Sequence, residues 1–137
     1  MSSWSPPSRA RVARIRDRLR TVYGVGARSD RTKMRAVGRA LRTGSDELIL
    51  TTSGYRGDAA IPALQRHAEG ARAVAGARLE IVLDRRRAIE RALRAAAPGD
   101  AVVVLGRGDL TEMTPDSRGV PLPFDDREVV REALRGL

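Results

Sequence analysis

Apolar residues along the chain recur at two different spacings, and the two spacings alternate. Recurrence every three or four residues predicts amphipathic helices over residues 8–19, 34–43, 58–71 and 84–97. Short continuous apolar runs predict strands at residues 21–23, 48–50, 79–83 and 101–105. The run Leu-Ile-Leu at 48–50, followed by two threonines, predicts a strand buried on both faces, and the run Ala-Val-Val-Val-Leu at 101–105 predicts the clearest buried strand of the four.

The pattern changes near the C-terminus. Residues 111–123 predict an antiparallel hairpin whose turn is the Asp-Ser-Arg-Gly segment at 116–119. Asp125 and Glu128 then have the spacing of a capping box, and they predict the start of a final helix that ends near Leu134.

Alternating helices and strands with short connections predict an α/β fold. We expect a Rossmann-like three-layer sandwich, with a mainly parallel sheet, helices on both faces and a C-terminal β-hairpin. Residues 1–7 are predicted to form a flexible N-terminal segment and residues 8–137 a single domain. Ligands of such sheets bind beyond the carboxyl ends of the strands. The loops at 24–33, 51–58, 84–87 and 106–112 are therefore the candidate site.

Composition narrows the chemistry that those loops can carry. The 137 residues include no cysteine, which excludes disulfides, thiolate nucleophiles and Cys-based zinc sites. A single histidine, His67, cannot form a His-rich metal site. No apolar run approaches the roughly 20 residues needed to span a bilayer, and no signal-peptide pattern is present. We expect a cytoplasmic protein that does not bind a membrane.

The net charge of +9 is compatible with a nucleic acid, an anionic membrane surface or an acidic small ligand such as a nucleotide. The excess is almost entirely arginine, since Lys33 is the only lysine, and the arginines alternate with acidic residues along the predicted helices. That distribution favours a solvated basic surface over a nucleic-acid partner.

Two of the loops are rich in glycine. The loop at 24–33 follows a strand and precedes a helix, so its amides could hold an anion, or the loop could be only a tight turn. Ser29 stands where a dinucleotide-binding fingerprint requires a third glycine, and no Walker-type phosphate-binding motif occurs in the chain. In the other loop, Gly106 and Gly108 permit close approach of a ligand or of another backbone segment.

The remaining polar candidates have structural interpretations. His67 has no evident partner and is expected at the surface or partly buried. Asp125 and Asp126 could pass for a metal pair, but their place before a helix favours capping. We therefore predict no catalytic residue and no metal ligand from spacing alone.

Six motifs lie on the predicted loops and strand ends. They read Gly-Ala-Arg-Ser-Asp-Arg-Thr-Lys-Met at 26–34, Ser-Gly-Tyr-Arg at 53–56, Asp-Arg-Arg-Arg-Ala-Ile at 84–89, Pro-Gly-Asp at 98–100, Gly-Arg-Gly-Asp-Leu at 106–110 and Pro-Phe-Asp-Asp-Arg-Glu-Val at 123–129. Together they resemble the C-terminal domain of the Mur ligases, in the branch of the UDP-N-acetylmuramoyl-tripeptide and cyanophycin synthetases. The resemblance extends from about Ser8 to the end of the chain.

This resemblance implies roles for individual residues. Facing the nucleotide and phosphate would be Arg28, Asp30 and Lys33. Facing the amine substrate would be Arg56, Gly106, Gly108 and Asp109. In the diaminopimelate-adding members, the arginine at the position of Arg56 grips the carboxylate of the incoming amino acid, a task suited to a bidentate guanidinium.

The departures from the family pattern concern the substrate. Gly54 replaces the family's asparagine, Ser29 an arginine, and Leu110 the glutamate that helps to hold the amino group. Removing an anion that pairs with a buried ammonium should cost several kcal/mol, on the order of 3–5. The resemblance therefore disfavours diaminopimelate and leaves an amino-acid carboxylate or another anion, bound by Arg56 and the glycine-rich loops, as the expected ligand.

The resemblance also implies what must come from elsewhere. ATP and magnesium are expected to bind to a partner protein carrying the ATP-binding domain. Residues 2–7 replace the family's first strand, so an unpaired sheet edge is expected to pair with that partner or with a second copy. The leading hypothesis is the amino-acid-binding part of an ATP-dependent amide ligase of the cell-wall type, inactive alone. The alternatives are a non-catalytic binding or regulatory module and a nucleic-acid-binding protein.

Overall fold

A computed structural model describes residues 18–26, 30–53, 60–76, 78–107, 110–113 and 121–137. In chain order its elements are β1 Leu19–Val25, α1 Met34–Thr43, β2 Glu47–Thr52, α2 Ile61–Arg72, β3 Leu79–Ile81, α3 Arg85–Ala95, β4 Ala101–Leu105, β5 Glu112–Met113, β6 Leu122–Pro123 and α4 Asp126–Arg135. None of the described helices is both long and apolar enough to cross a membrane.

The first four strands form one parallel sheet in the order β3-β2-β1-β4. Val22 of β1 pairs with Ile49 of β2 on one side and with Val104 of β4 on the other. The strands β5 and β6 form a separate antiparallel pair, as the hairpin pattern predicts. The predicted α/β class is therefore confirmed.

Helices cover both faces of the sheet because each central strand points alternate apolar residues to opposite sides. Against α1 and α2 lies a core that includes Val25, Leu48, Leu50 and Leu64. Against α3 and α4 lies a second core that includes the residues Val22, Ile49, Ile89, Phe124 and Val129. The predicted three-layer arrangement is confirmed in this form.

The strand at 101–105 differs from its prediction. It is an end strand of the sheet as described, and only its face toward α3 and α4 packs into a core, through Val102 and Val104. Val103 and Leu105 point the other way and remain 38% and 40% exposed. A continuous apolar run predicts two buried faces, but at the end of a sheet one of them lacks a covering helix among the described residues.

Two element boundaries also differ. Strand β3 ends at Ile81 rather than at Leu83, and β1 begins at Leu19, which the helical stripe had assigned to the first helix. Leu19 is drawn into the strand because its amide donates to the Asp46 carboxylate at 2.7 Å and its carbonyl accepts from the Asp46 amide at 2.9 Å. Outside the described residues lie residues 8–17 of the predicted first helix, the N-terminal segment 1–7, Asp58 and the turn at 116–119.

The predicted helix starts are largely confirmed. The Asp84 carboxylate caps α3 by accepting from the Arg87 amide at 3.1 Å. The Asp125 carboxylate caps α4 by accepting from the Arg127 amide at 3.0 Å. Glu128 accepts instead from the Arg131 side chain at 2.6 Å, so the box-like spacing marks the helix start without its reciprocal bond.

The expectation that His67 lies at the surface is wrong. His67 is 1% exposed, its Nδ1 lies 2.7 Å from the Ala63 carbonyl oxygen, and its ring centroid is 5.7 Å from that of Tyr23. The helical stripe of α2 includes position 67, and a carbonyl one turn earlier satisfies the imidazole nitrogen, which makes burial inexpensive.

Candidate functional site at the carboxyl edge of the sheet

The carboxyl ends of β1, β2 and β4 meet at one edge because these strands are parallel. At that edge the Ser53 amide, just past β2, donates to the Val25 carbonyl at the end of β1 at 3.1 Å. The loops predicted to carry the site start from these strand ends, and the start of α4 lies beside them.

Arg85 joins the strand ends to α4. Its side chain is 1% exposed, and Nε and Nη2 donate to the two carboxylate oxygens of Asp126 at 2.9 and 2.7 Å. Its Nη1 donates to the Thr52 carbonyl at 3.1 Å, and Nη2 also donates to the Leu105 carbonyl at 3.2 Å. One guanidinium therefore contacts the last residues of both β2 and β4.

Two glycines make room for this arrangement. A Cβ on Gly24 would lie 2.0 Å from Nη1 of Arg85, and a Cβ on Gly106 would lie 2.3 Å from the Gly24 carbonyl oxygen. Gly106 also has φ +106°, a conformation that side chains strongly disfavour. The close approach expected at Gly106 is thus one of backbone to backbone, and its contact with a substrate stays a prediction.

Arg107 is a second buried guanidinium at this edge, with a side chain that is 2% exposed. Its Nη1 donates to the Ser53 carbonyl at 2.6 Å, and its Nη2 donates to the Glu112 and Phe124 carbonyls, both at 2.8 Å. The guanidinium also lies 5.1 Å from the centroid of the Phe124 ring. It therefore contacts three separate segments of the chain.

Arg85 and Arg107 share the carboxylate of Asp126, which Nε of Arg107 approaches to 3.9 Å. Burial, together with the positive charge of Arg85, lowers the pKa of Arg107 from the usual value for arginine. The carboxylates of Asp126 and Asp125 oppose this shift, so the two buried guanidiniums lie among carboxylates as well as backbone carbonyls.

The loop before α1 contains the described members of the nucleotide-facing set. The Asp30 carboxylate accepts from the Thr32 hydroxyl at 2.8 Å and from the Thr32 amide at 3.0 Å, and the hydroxyl bond is the main cause of its lowered pKa. Lys33 is exposed and immediately precedes α1, whose first turn has no acidic residue. This helix start is therefore suited to an anion.

The other predicted site residues, Arg28, Arg56, Gly108 and Asp109, lie outside the described residues. Sequence reasoning missed Arg85, Arg107 and Asp126, since Asp126 was weighed as one of a metal pair and then interpreted as a capping residue. The available signal was position, since Arg107 comes two residues after the end of β4 and Arg85 is the first residue of α3. Within the described part of the chain, no group of three or more His, Asp or Glu side chains could hold a metal ion.

A pocket of about 440 Å³ lies at the opposite, amino-terminal end of the sheet. Its rim contains Arg20, Arg78 and Arg91, and each of these arginines pairs with a glutamate, either Glu47 or Glu80. The charges on the pocket rim are therefore paired, and the pocket lies at the end of the sheet away from Arg85 and Arg107.

Comparison with known proteins gives a consistent result. The family profile described as "Mur ligase, glutamate ligase domain" matches residues 9–108. The chain is similar to UDP-N-acetylmuramoyl-L-alanyl-D-glutamate--2,6-diaminopimelate ligases, with 36% identity to that of Streptomyces coelicolor, covering 86% of this chain and 24% of the relative. The identity to the Corynebacterium efficiens ligase is 39%, and the match covers 92% of this chain and 26% of the relative.

A solved structure of a ligase with the same description has a TM-score of 0.72 and 28% identity. The match covers 88% of this chain and 24% of that chain. The chain thus spans about a quarter of the length of the relatives it matches.

Proposed function

This chain belongs to the Mur ligase family, and we propose that it supplies the amine-substrate end of an ATP-dependent ligase that forms an amide bond. Because the chain spans about a quarter of its relatives, the activity of a whole ligase is part of this proposal. The observation that carries it is the arrangement of the carboxyl edge, where Arg85 and Arg107 hold the strand ends from which the candidate loops start.

In this proposal the carboxyl edge has two sides. Lys33, Arg28 and Asp30 face the nucleotide and the activated carboxylate, which is supported by the exposed lysine at the start of α1. Arg56 binds the carboxylate of the incoming amino acid, with Gly106, Gly108 and Asp109 beside it. The contribution of the chain is orientation and charge stabilisation rather than a covalent nucleophile.

ATP and magnesium are proposed to come through an ATP-binding partner. No Walker-type motif occurs in the 137 residues, and the described residues include no cluster suited to a metal ion. ATP bound there would supply the energy that activates the carboxylate. The residues of this chain would orient the amine and keep it near that carboxylate.

We further propose that the amine substrate is an α-amino acid other than diaminopimelate. Leu110 follows the Gly-Arg-Gly-Asp segment, where its carbonyl lies 3.5 Å from Nη2 of Arg107 and its side chain is 56% exposed. An exposed leucine offers no anion to pair with a substrate ammonium. A non-catalytic module that retains the fold is the second candidate, and Leu110 is the observation that favours it.

Isothermal titration calorimetry separates these candidates. The first candidate predicts that an α-amino acid such as L-lysine, L-alanine or glycine releases heat with the full chain, and that Arg56→Ala abolishes it. Arg91→Ala is the matched control, because Arg91 is exposed and pairs with Glu80 at the opposite, amino-terminal end of the sheet. Absence of heat from a broad panel of amino acids and nucleotides would favour the non-catalytic module.

The partner is the remaining part of the proposal. We propose a separate ATP-binding polypeptide, or a second copy of this chain, that pairs with a free sheet edge. Support comes from β4, whose residues Val103 and Leu105 are exposed at one end of the described sheet. Sedimentation of the purified chain and co-purification from its native host test the two alternatives.

A further inference from the structure

Arg107 contacts the described ends of two different loops that start from the sheet. Its Nη1 donates to the Ser53 carbonyl, directly after β2. Its Nη2 donates to the Glu112 carbonyl in β5. By sequence, Ser53 comes three positions before Arg56, and Arg107 directly precedes Gly108 and Asp109. The guanidinium therefore contacts the segments that lead, in sequence, to Arg56 and to the pair Gly108 and Asp109.

The contacts of Arg107 differ in kind from those of Arg85. Arg85 donates to the last residues of two strands and forms a bidentate pair with Asp126. The described hydrogen bonds of Arg107 all go to carbonyl oxygens in loops or in the short hairpin strands, and the nearest approach of its Nε to Asp126 is 3.9 Å. The planar fork of a guanidinium can satisfy several carbonyls at fixed angles, which a lysine ammonium cannot reproduce.

The third segment held by Arg107 is the short connection between β6 and α4, which contains Phe124. Its Nη2 donates to the Phe124 carbonyl, and the guanidinium lies against the Phe124 ring. The Phe124 amide donates in turn to the Thr111 carbonyl at 2.8 Å, which connects this segment to the loop that follows Arg107. Three segments distant in sequence are thus held through one side chain.

We infer that Arg107 is a positioning residue, which fixes the ends of the 51–58 and 106–112 loops relative to each other before any ligand binds. This inference rests on the proposed function, since it assigns Arg107 the task of presenting the amine-facing residues. Arg107 acts through those loops and does not itself contact the substrate.

Hydrogen exchange of the full chain without ligand tests the inference directly. In Arg107→Lys, the amides of Ser53, Leu110 and Phe124 should exchange about tenfold faster, since their segments lose charge-assisted bonds. Two amides of the sheet should keep their exchange rates: that of Leu48, which donates to the Arg78 carbonyl, and that of Val82, which donates to the Leu50 carbonyl, both at 3.0 Å. Arg131→Lys, on the exposed surface of α4, is the matched control and should change neither set.

A merely structural role would give another pattern. If exchange rises by the same factor at loop and sheet amides, or if loop exchange is unchanged, the inference is overturned. Arg107→Gln serves if the lysine variant fails to fold, because it removes the buried charge, keeps two N–H donors and should show the same local acceleration.

A binding measurement separates this inference from the proposed function. If an amino acid binds the wild-type chain, Arg107→Lys should weaken its affinity about tenfold at a temperature at which both chains are folded. If none binds, the proposed function fails, whereas the exchange result still decides whether Arg107 fixes the two loops.

Discussion

Two guanidiniums and one carboxylate organise the functional edge at the residue scale. Arg85 and Arg107 are nearly inaccessible to solvent, while Asp126 is 13% exposed and is the carboxylate near both. Buried ions are stable only when their partners are in place, and removing one partner leaves an uncompensated charge. Asp126 is thus more important to the fold than its position in the first turn of a helix indicates.

The substitution Asp126→Asn should therefore be strongly destabilising. We expect the free energy of unfolding, measured by urea denaturation, to fall by about 3–5 kcal/mol. Glu128→Gln is the control in the same helix, since the exposed pair of Glu128 with Arg131 should contribute no more than about 1 kcal/mol. Equal losses for the two variants would show that Asp126 does not compensate the buried arginines.

Individual contacts were the part least accessible from sequence. The motif at 106–110 was predicted to follow a strand, and Arg107 does lie after β4 at the carboxyl edge of the sheet. Nothing in the spacing of the motif shows that the Arg107 side chain faces inward and donates to carbonyls. His67 was misplaced for a related reason, since its partner is a backbone carbonyl of its own helix. Burial of a polar side chain depends on partners that only the folded chain brings together.

At the scale of elements, the two helices α1 and α2 pack unusually closely. A Cβ on Gly38 would lie 1.9 Å from the His67 carbonyl oxygen, and a Cβ on Gly70 would lie 1.9 Å from the Arg35 carbonyl oxygen. The contact is reciprocal, with a glycine of each helix facing the backbone of the other. Helix spacing on this face of the sheet therefore depends on these two positions.

The substitution Gly38→Ala tests that dependence through the sign of its effect. In an exposed helix this change stabilises by about 1 kcal/mol, but here the methyl group must push α1 and α2 apart, at an expected loss of about 1–3 kcal/mol. Gly44→Ala, where the nearest atom to a new Cβ is 3.5 Å away, should be close to neutral. Thermal unfolding of both variants measures the difference, and a gain in Tm for Gly38→Ala would contradict the packing.

The turn before β4 gives a pH-dependent prediction. The Asp100 carboxylate accepts from the Ala97 amide at 2.9 Å, and this bond is the main reason that the pKa of Asp100 lies below its ordinary value of 3.8. A carboxyl whose pKa is lower in the folded chain than in the unfolded chain stabilises the fold at pH values above the unfolded pKa. This stabilisation is lost as the pH falls through the folded pKa.

Wild type and Asp100→Asn should accordingly converge in acid. Urea denaturation from about pH 7 to about pH 2 should show a difference in unfolding free energy that is constant near neutrality and shrinks below about pH 4. A difference that persists unchanged at the acid end would show that the charge of Asp100 contributes nothing to stability.

Elements were predictable where the apolar pattern has one interpretation. Met34, Val37 and Leu41 match one stripe of α1, and its observed bounds agree with the prediction. For β4 the pattern was ambiguous, because apolar runs do not reveal which strand lies at the end of a sheet. The order β3-β2-β1-β4 depends on crossovers that the local sequence does not encode.

At the scale of the whole molecule, the chain has a net charge of +9, and many arginines in its described part form ion pairs. Exposed pairs such as Arg35 with Glu69 and Arg86 with Glu132 lie on different helices and leave the surface mixed in sign. The fold class followed from the alternation of helices and strands. The function could be approached only through family motifs, since no reaction is evident from residue spacing.

A mixed-sign surface predicts weak binding to nucleic acid. We expect no mobility shift of short duplex DNA at physiological salt, and any association at low salt should disappear steeply as salt is raised. Sequence-independent binding that persists at physiological salt would favour a nucleic-acid partner instead.

Calorimetric titration of the full chain with amino acids tests the proposed function most directly. The proposal predicts that at least one α-amino acid binds the wild-type chain and the Arg91→Ala control, and that Arg56→Ala loses this binding. No binding by the wild-type chain, or equal binding by Arg56→Ala, would contradict the assignment of the amine-substrate site to the carboxyl edge of the sheet.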